Sequence, residues 1–255
     1  MKKNFIIYII LALFVLLIGF FVYKYKNLDV FSLPNASISP VASLTSTVSP
    51  SFSSPVSGST QLNAEPPLEW DKFLIKDKTL SEDYVLRIKK DFDGRVVVLQ
   101  KNKTLFNDWV ALGNDKKQVG DYYGARDIYI FAGQIRPLNS LSFGNLGDLY
   151  MNFLKDYPSA EIAFKRAVVN VGNENSSYIR NLIDLYNFWG KKDLEKQTIL
   201  EAISKFPKEP PFLVLMSRWY LQAGDKTNAI VYMQKALDLD PQNQAIQREL
   251  ENLKK

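Results

Sequence analysis

Arg180 and Arg218 are the side chains best suited to grip a ligand, because a guanidinium can hold a carboxylate through two parallel hydrogen bonds. Two short carboxylate pairs, Asp91-Phe-Asp93 and Asp238-Leu-Asp240, are the other groups close enough in sequence to act together. On a helix, residues two apart do not share a face, so neither pair converges on a metal, and solvated charges are the simpler account. Histidine and cysteine are absent. That removes the usual neutral-pH proton shuttle, the thiolate nucleophile and the commonest metal ligands. No Ser stands three residues before a Lys, and no Gly-Lys-Ser/Thr ending of a phosphate-binding loop occurs. The aromatic residues Tyr122, Tyr123, Trp189, Trp219 and Tyr220 could look like a ligand box, but their spacing is that of packing. The residues point away from catalysis and cofactor chemistry, and toward binding.

What must position such binding groups is a set of helices. From Trp109 to Pro137, large residues recur three or four apart, with Leu112, Gly113, Gly120, Ala125, Tyr129 and Ala132 at fixed offsets. Two antiparallel helices packed face to face make this demand. Bulky residues fill the groove, small ones let the backbones approach, Gly120 serves the turn, and Pro137 ends the second helix. The pattern returns three times. Phe143, Leu146, Gly147 and Tyr150 open a second unit, continued by Ala160, Phe164 and Ala167. Its turn is one residue longer, around Lys155 to Pro158, and Pro158 suits the first turn of the next helix. Ile179, Leu182, Ile183 and Tyr186 open a third, with Gly190, Ala202 and Pro207; it is degenerate, since Ile183 and Glu195 replace small residues. Leu213, Met216, Ser217 and Tyr220 open a fourth, with Gly224, Ala229, Met233, Ala236 and Pro241.

Four units in register over residues 107–241 resemble the tetratricopeptide repeat (TPR), a helix-turn-helix unit of about 34 residues. In the first unit only Lys116 departs, standing where that pattern usually has Tyr. The resemblance implies an all-α, right-handed superhelix whose first helices line a concave groove. By repeat position the groove should present Asn114, Lys117 and Gln118 from the first unit and Asp148, Met151 and Asn152 from the second. The third should add Arg180, Asp184 and Asn187, and the fourth Arg218 and Gln222. Asp184, four residues after Arg180, could also simply pair with it. Families of this type that clamp a C-terminal carboxylate place polar side chains where Val110 and Gly144 stand here, which argues against such a clamp.

The flanks are read in the same way. Phe5 to Tyr23 carries no charge, and about 20 apolar residues span the hydrocarbon core as a helix. It is longer than the apolar core of a cleaved signal and lacks a small-x-small site, so an anchor after a short tail (1–4) is expected. Lys2 and Lys3 precede it and Lys24 and Lys26 follow it, with the amino terminus tipping the count toward an inside N-terminus. Setting aside those four lysines and Asp29 leaves 28 basic and 26 acidic residues, too even a balance for a nucleic-acid binder. Within 24–67, Val30 to Ala64 is uncharged and rich in Ser, Thr and Pro, the composition of a disordered stalk. Asn35-Ala-Ser37 and Asn102-Lys-Thr104 match the N-glycosylation triplet, a weak signal. An uncharged stalk after an anchor fits an extracytoplasmic repeat domain.

Residues 68–106 should cap the first repeat with one long helix. Thr79-x-x-Glu82 reads as its capping box, and Val85, Ile88, Phe92, Val96 and Leu99 form its stripe. Asp93-Gly94 is the competing signal, for a hairpin over 84–100. Residues 242–255, with Ile246, Leu250 and Leu253 at helical spacing, should cap the other end. The functional expectation is a membrane-tethered adaptor holding a protein or peptide partner in its groove. The alternatives are a regulatory or accessory subunit of a cell-wall or glycan-assembly enzyme complex, and a spacer or self-association module.

Overall fold

The computed structural model describes residues 65–172 and 174–255. The apolar run Phe5–Tyr23, expected as an anchor, and the Ser-, Thr- and Pro-rich stretch up to residue 64, expected as a stalk, lie outside them. No helix among the described residues is long and apolar enough to cross a membrane.

The described residues are all helix and turn. Glu82–Lys101 (α1) is one continuous helix, so Gly94 sits inside it and no hairpin forms. The period-3.6 stripe decides this, since Ile88, Phe92 and Leu99 are buried on one side. The cap differs from the expected one. Ser81 accepts the hydrogen bond from Tyr84 N, whereas Thr79 donates both its N–H and its hydroxyl to Asp77 Oδ1. Thr79 thus closes a turn ahead of the helix, and the nearer hydroxyl takes the cap.

Four helical hairpins follow. They are Phe106–Gln118 (α2) with Tyr122–Ile135 (α3), then Ser140–Asp148 (α4) with Tyr157–Val171 (α5). Next come Ser177–Phe188 (α6) with Lys192–Lys205 (α7), and Pro210–Gln222 (α8) with Lys226–Leu239 (α9). Gln244–Lys254 (α10) closes the stack. Each helix packs on the next in chain order, giving an all-α superhelix.

The packing follows the small-against-large rule read from the sequence. A Cβ on Gly113 would stand 2.5 Å from Tyr129 Cε1, and one on Gly147 would stand 2.5 Å from Phe164 Cδ1. In the fourth unit the same place holds Ser217, whose hydroxyl donates to Ala229 O at 2.6 Å across the hairpin. A small polar residue is tolerated there because its hydroxyl is satisfied. Gly120 takes φ +79°, and a Cβ there would meet Asp77 N at 2.7 Å, so both the turn and a crossing segment require glycine.

That crossing segment is the 65–81 lead-in. Trp70 packs on Trp109 with ring centroids 4.8 Å apart, and Phe73 on Phe92 at 5.1 Å. Lys76 N and Asp77 N both donate to Val119 O. Lys116 explains its own departure from the pattern. Its side chain is buried, and Nζ donates to Lys72 O at 2.7 Å and to Asp121 Oδ2 at 3.2 Å. Its long stem reaches a backbone that a Tyr at this place could not serve with a charge-assisted donor.

The extra residue of the second unit is absorbed as a π-helical turn, Leu149–Leu154, directly after α4. It ends at Lys155 in the left-handed region, φ +56°. A single inserted residue within a helix commonly takes this form.

Candidate functional site

The groove expectation divides the first helices into two kinds. In the first two units the polar side chains satisfy one another. Asn114 Oδ1 accepts from Tyr129 OH at 2.6 Å. Gln118 Oε1 accepts from Tyr84 OH at 2.9 Å, which ties α2 to α1. Lys117 Nζ lies 2.9 Å from Asp148 Oδ2, and Asp148 Oδ1 accepts from Asn152 Nδ2 at 2.7 Å, linking α2 to the second unit. Met151 is placed inward. It is only 7 % exposed and packs with Phe164, Leu185 and Tyr186. Met151 lies within the π turn Leu149–Leu154, whose wider winding changes the helical phase at that position.

Arg218 is paired within the chain. Its Nε and Nη2 donate to Glu249 Oε1 and Oε2, each at 2.9 Å. This bidentate pair joins α8 to the closing helix α10; it raises the arginine's pKa and lowers the glutamate's. The guanidinium therefore already holds a carboxylate of its own chain. Asn187 and Gln222 are tied as well, because Lys192 Nζ reaches Asn187 Oδ1 at 2.9 Å, Glu195 Oε2 at 2.9 Å and Gln222 Oε1 at 3.0 Å.

The third unit is the exception. Among the described residues, Arg180 and Asp184 make no side-chain hydrogen bond, and they do not pair with each other within 4.0 Å. Arg180 is exposed, with its guanidinium carbon 5.7 Å from the centroid of the Phe212 ring. Asp184 is half-buried. Burial pushes its carboxyl above the usual range, with Glu195 adding to the rise and Arg180 opposing it. Two large apolar side chains stand near in sequence on these first helices: Phe188 is 70 % exposed and Leu221 45 % exposed. Sequence reading passed over both, although Phe188 follows Asp184 by one helical turn and Leu221 follows Arg218 by nearly one. That spacing was the available signal.

The remaining polar candidates are local. Asp93 pairs with Lys89 at 2.6 Å, Asp238 accepts from Gln234 and Asp240 from Asn243. Trp219, Tyr220 and Tyr232 pack on one another at 5.3 and 5.4 Å.

Comparison with known proteins agrees with this architecture. The tetratricopeptide repeat family matches residues 210–243. The crystal structure of MamA is similar at 19 % identity and a TM-score of 0.50, over 64 % of this chain and 96 % of that one. This is a tetratricopeptide-repeat fold. A second MamA structure matches at 20 % identity and TM-score 0.50, covering 61 % of this chain and 86 % of that one. YrrB, described as a TPR protein with an unusual peptide-binding site, matches at 16 % identity and TM-score 0.49, over 66 % and 86 %. No curated protein matches the chain. In TPR terms, Arg180 and Asp184 lie on the first helix of the third repeat, and the groove residues tied internally, Asn187 apart, belong to the other repeats.

Proposed function

We propose that the protein is a protein–protein interaction module that engages its partner on the first helix of the third repeat. The observation that carries this reading is the contrast just described. Of the groove residues expected from repeat position, those of the first, second and fourth repeats and Asn187 of the third are hydrogen-bonded within the chain or buried, while Arg180 and Asp184 make no side-chain hydrogen bond and Phe188 beside them is exposed. Arg180 and Asp184 leave hydrogen-bonding capacity open at the surface, and Phe188 leaves apolar area open. A partner segment that brings an N–H or ammonium to Asp184, a carboxylate to Arg180 and an apolar side chain to Phe188 would supply all three needs. TPR folds are generally interaction modules rather than enzymes, which agrees with the lack of a catalytic constellation in the sequence.

The reading extends to a tether. The uncharged run Phe5–Tyr23 would hold the module to a membrane with its N-terminus inside, and the stalk would carry the repeats outside. Protease added to spheroplasts should then remove the repeats and spare a short anchored fragment; full protection would reverse the orientation.

The groove is tested by placing a photo-crosslinking residue at Phe188 and, separately, at Leu200 on the neighbouring second helix. A specific adduct at Phe188 alone, weakened at least tenfold (about 1.4 kcal/mol) by Arg180→Ala, supports the site. Equal adducts at both positions, or no effect of Arg180→Ala, would reject it.

A further inference from the structure

The two ends of the repeat stack are finished differently. At the C-terminal end, α10 buries Ile246, Leu250 and Leu253 and turns Gln247, Arg248, Glu251 and Asn252 to solvent. That is what a free end of a repeat stack requires. At the other end, α1 buries Ile88, Phe92 and Leu99, and its opposite face carries large apolar side chains among its charges. Leu86 is 57 % exposed and Val97 51 % exposed. They lie on one helical stripe with the exposed residues Asp83, Lys90, Gly94 and Lys101. Nothing among the described residues covers this stripe.

We infer that this stripe of α1 docks against the same stripe of a second copy of the chain, antiparallel, about a two-fold axis near Phe92. The charge pattern selects this occupant. Glu82 and Asp83 occupy the first turn of α1 and Lys101 the last, and neither Asp83 nor Lys101 has an ion-pair partner among the described residues. An antiparallel copy sets Asp83 against the other chain's Lys101 at both ends of the contact, and it also opposes the helix dipoles favourably. A parallel copy would set Lys101 on Lys101. With the axis near Phe92, Leu86 meets the other Val97, so this apolar contact is made twice, once on each side of the axis. Lys90 meets the other Gly94, where a Cβ would have nothing within 4 Å. The missing side chain leaves room for the lysine stem to lie along the partner helix with its ammonium in water. One 20-residue helix per chain makes a small contact, so the pairing is of the weak, concentration-dependent kind.

The test uses full-length protein, which has no cysteine of its own. Leu86→Cys and Val97→Cys are made separately and then mixed under mild oxidation. In the antiparallel dimer residue 86 faces 97 of the other copy, while the two copies of residue 86 are about 16 Å apart along the axis. The mixture should form the 86–97 disulfide at least tenfold faster than either variant alone, and faster than a Leu200→Cys control. Asp83→Lys should slow that reaction in the Cys variants, and Asp83→Lys with Lys101→Asp should restore it. Fast homodisulfides of Leu86→Cys would show a parallel contact. Rates equal to the control, with native circular dichroism, would show collisions only. Either result overturns the inference.

Discussion

Lys116 Nζ lies 3.2 Å from Asp121 Oδ2, and both side chains are almost wholly removed from water. Asp121 also caps α3 by accepting from Gly124 N, so one carboxylate answers two donors. Removing the lysine alone leaves a buried charge and an orphaned Lys72 carbonyl. Lys116→Met should therefore destabilise the protein by about 3–5 kcal/mol in urea unfolding. Adding Asp121→Ser, which keeps a capping oxygen without the charge, should recover a large part of that loss. Additive losses in the double variant would mean the two side chains are not coupled.

Asp115 predicts an unusual pH dependence. Burial pushes its carboxyl up to about 6, with Asp91 adding to the rise and Arg95, whose Nε donates to it at 2.9 Å, opposing. The folded value lies above the unfolded one of 3.8, so between those values the folded state binds more protons than the unfolded chain. This group's penalty is absent below the lower value, grows as pH rises, and is complete above about 6. Stability of the wild type relative to Asp115→Asn should fall as pH rises through this window, by no more than about 1.4 kcal/mol per pH unit. Parallel stability–pH curves for the two proteins would contradict the assignment.

The close approaches make opposite predictions for two glycines. Gly147→Ala forces a Cβ against the buried Phe164 ring and should cost about 1–3 kcal/mol. Gly94 is exposed, mid-helix, and has open space where a Cβ would sit. Gly94→Ala should raise stability by up to about 1 kcal/mol, from helix propensity. Thermal unfolding at low protein concentration, where any self-association is minimal, separates the two effects.

Arg180 and Arg218 should behave differently although both occur on first helices. Arg218→Ala breaks a largely exposed pair with Glu249 and should change stability by about 1 kcal/mol or less. It should leave partner affinity within about twofold. Arg180→Ala should leave the unfolding midpoint nearly unchanged and weaken the partner at least tenfold, about 1.4 kcal/mol. Equal losses of affinity would return Arg218 to the binding surface.

The sequence by itself determined the helical hairpins. Small residues recur opposite large ones at a helical period, and this pattern can be buried only by two helices packed face to face, which is why Gly113 meets Tyr129 and Gly147 meets Phe164. It also marked the longer turn of the second unit, which became the π turn. It could not show the consequence, that Met151 is carried into the core, because repeat position assumes uninterrupted α-helical phase. Tertiary structure alone decided which polar residues are spent. Lys116 binds a backbone 44 residues away, and Arg218 a glutamate 31 residues away. Local periodicity reports which face of a helix is apolar, because burial follows from the pattern of neighbours along the chain. Partners between distant polar groups depend on where the superhelix brings two side chains together. For that reason Arg180 and Arg218 look alike in the sequence and differ in the fold.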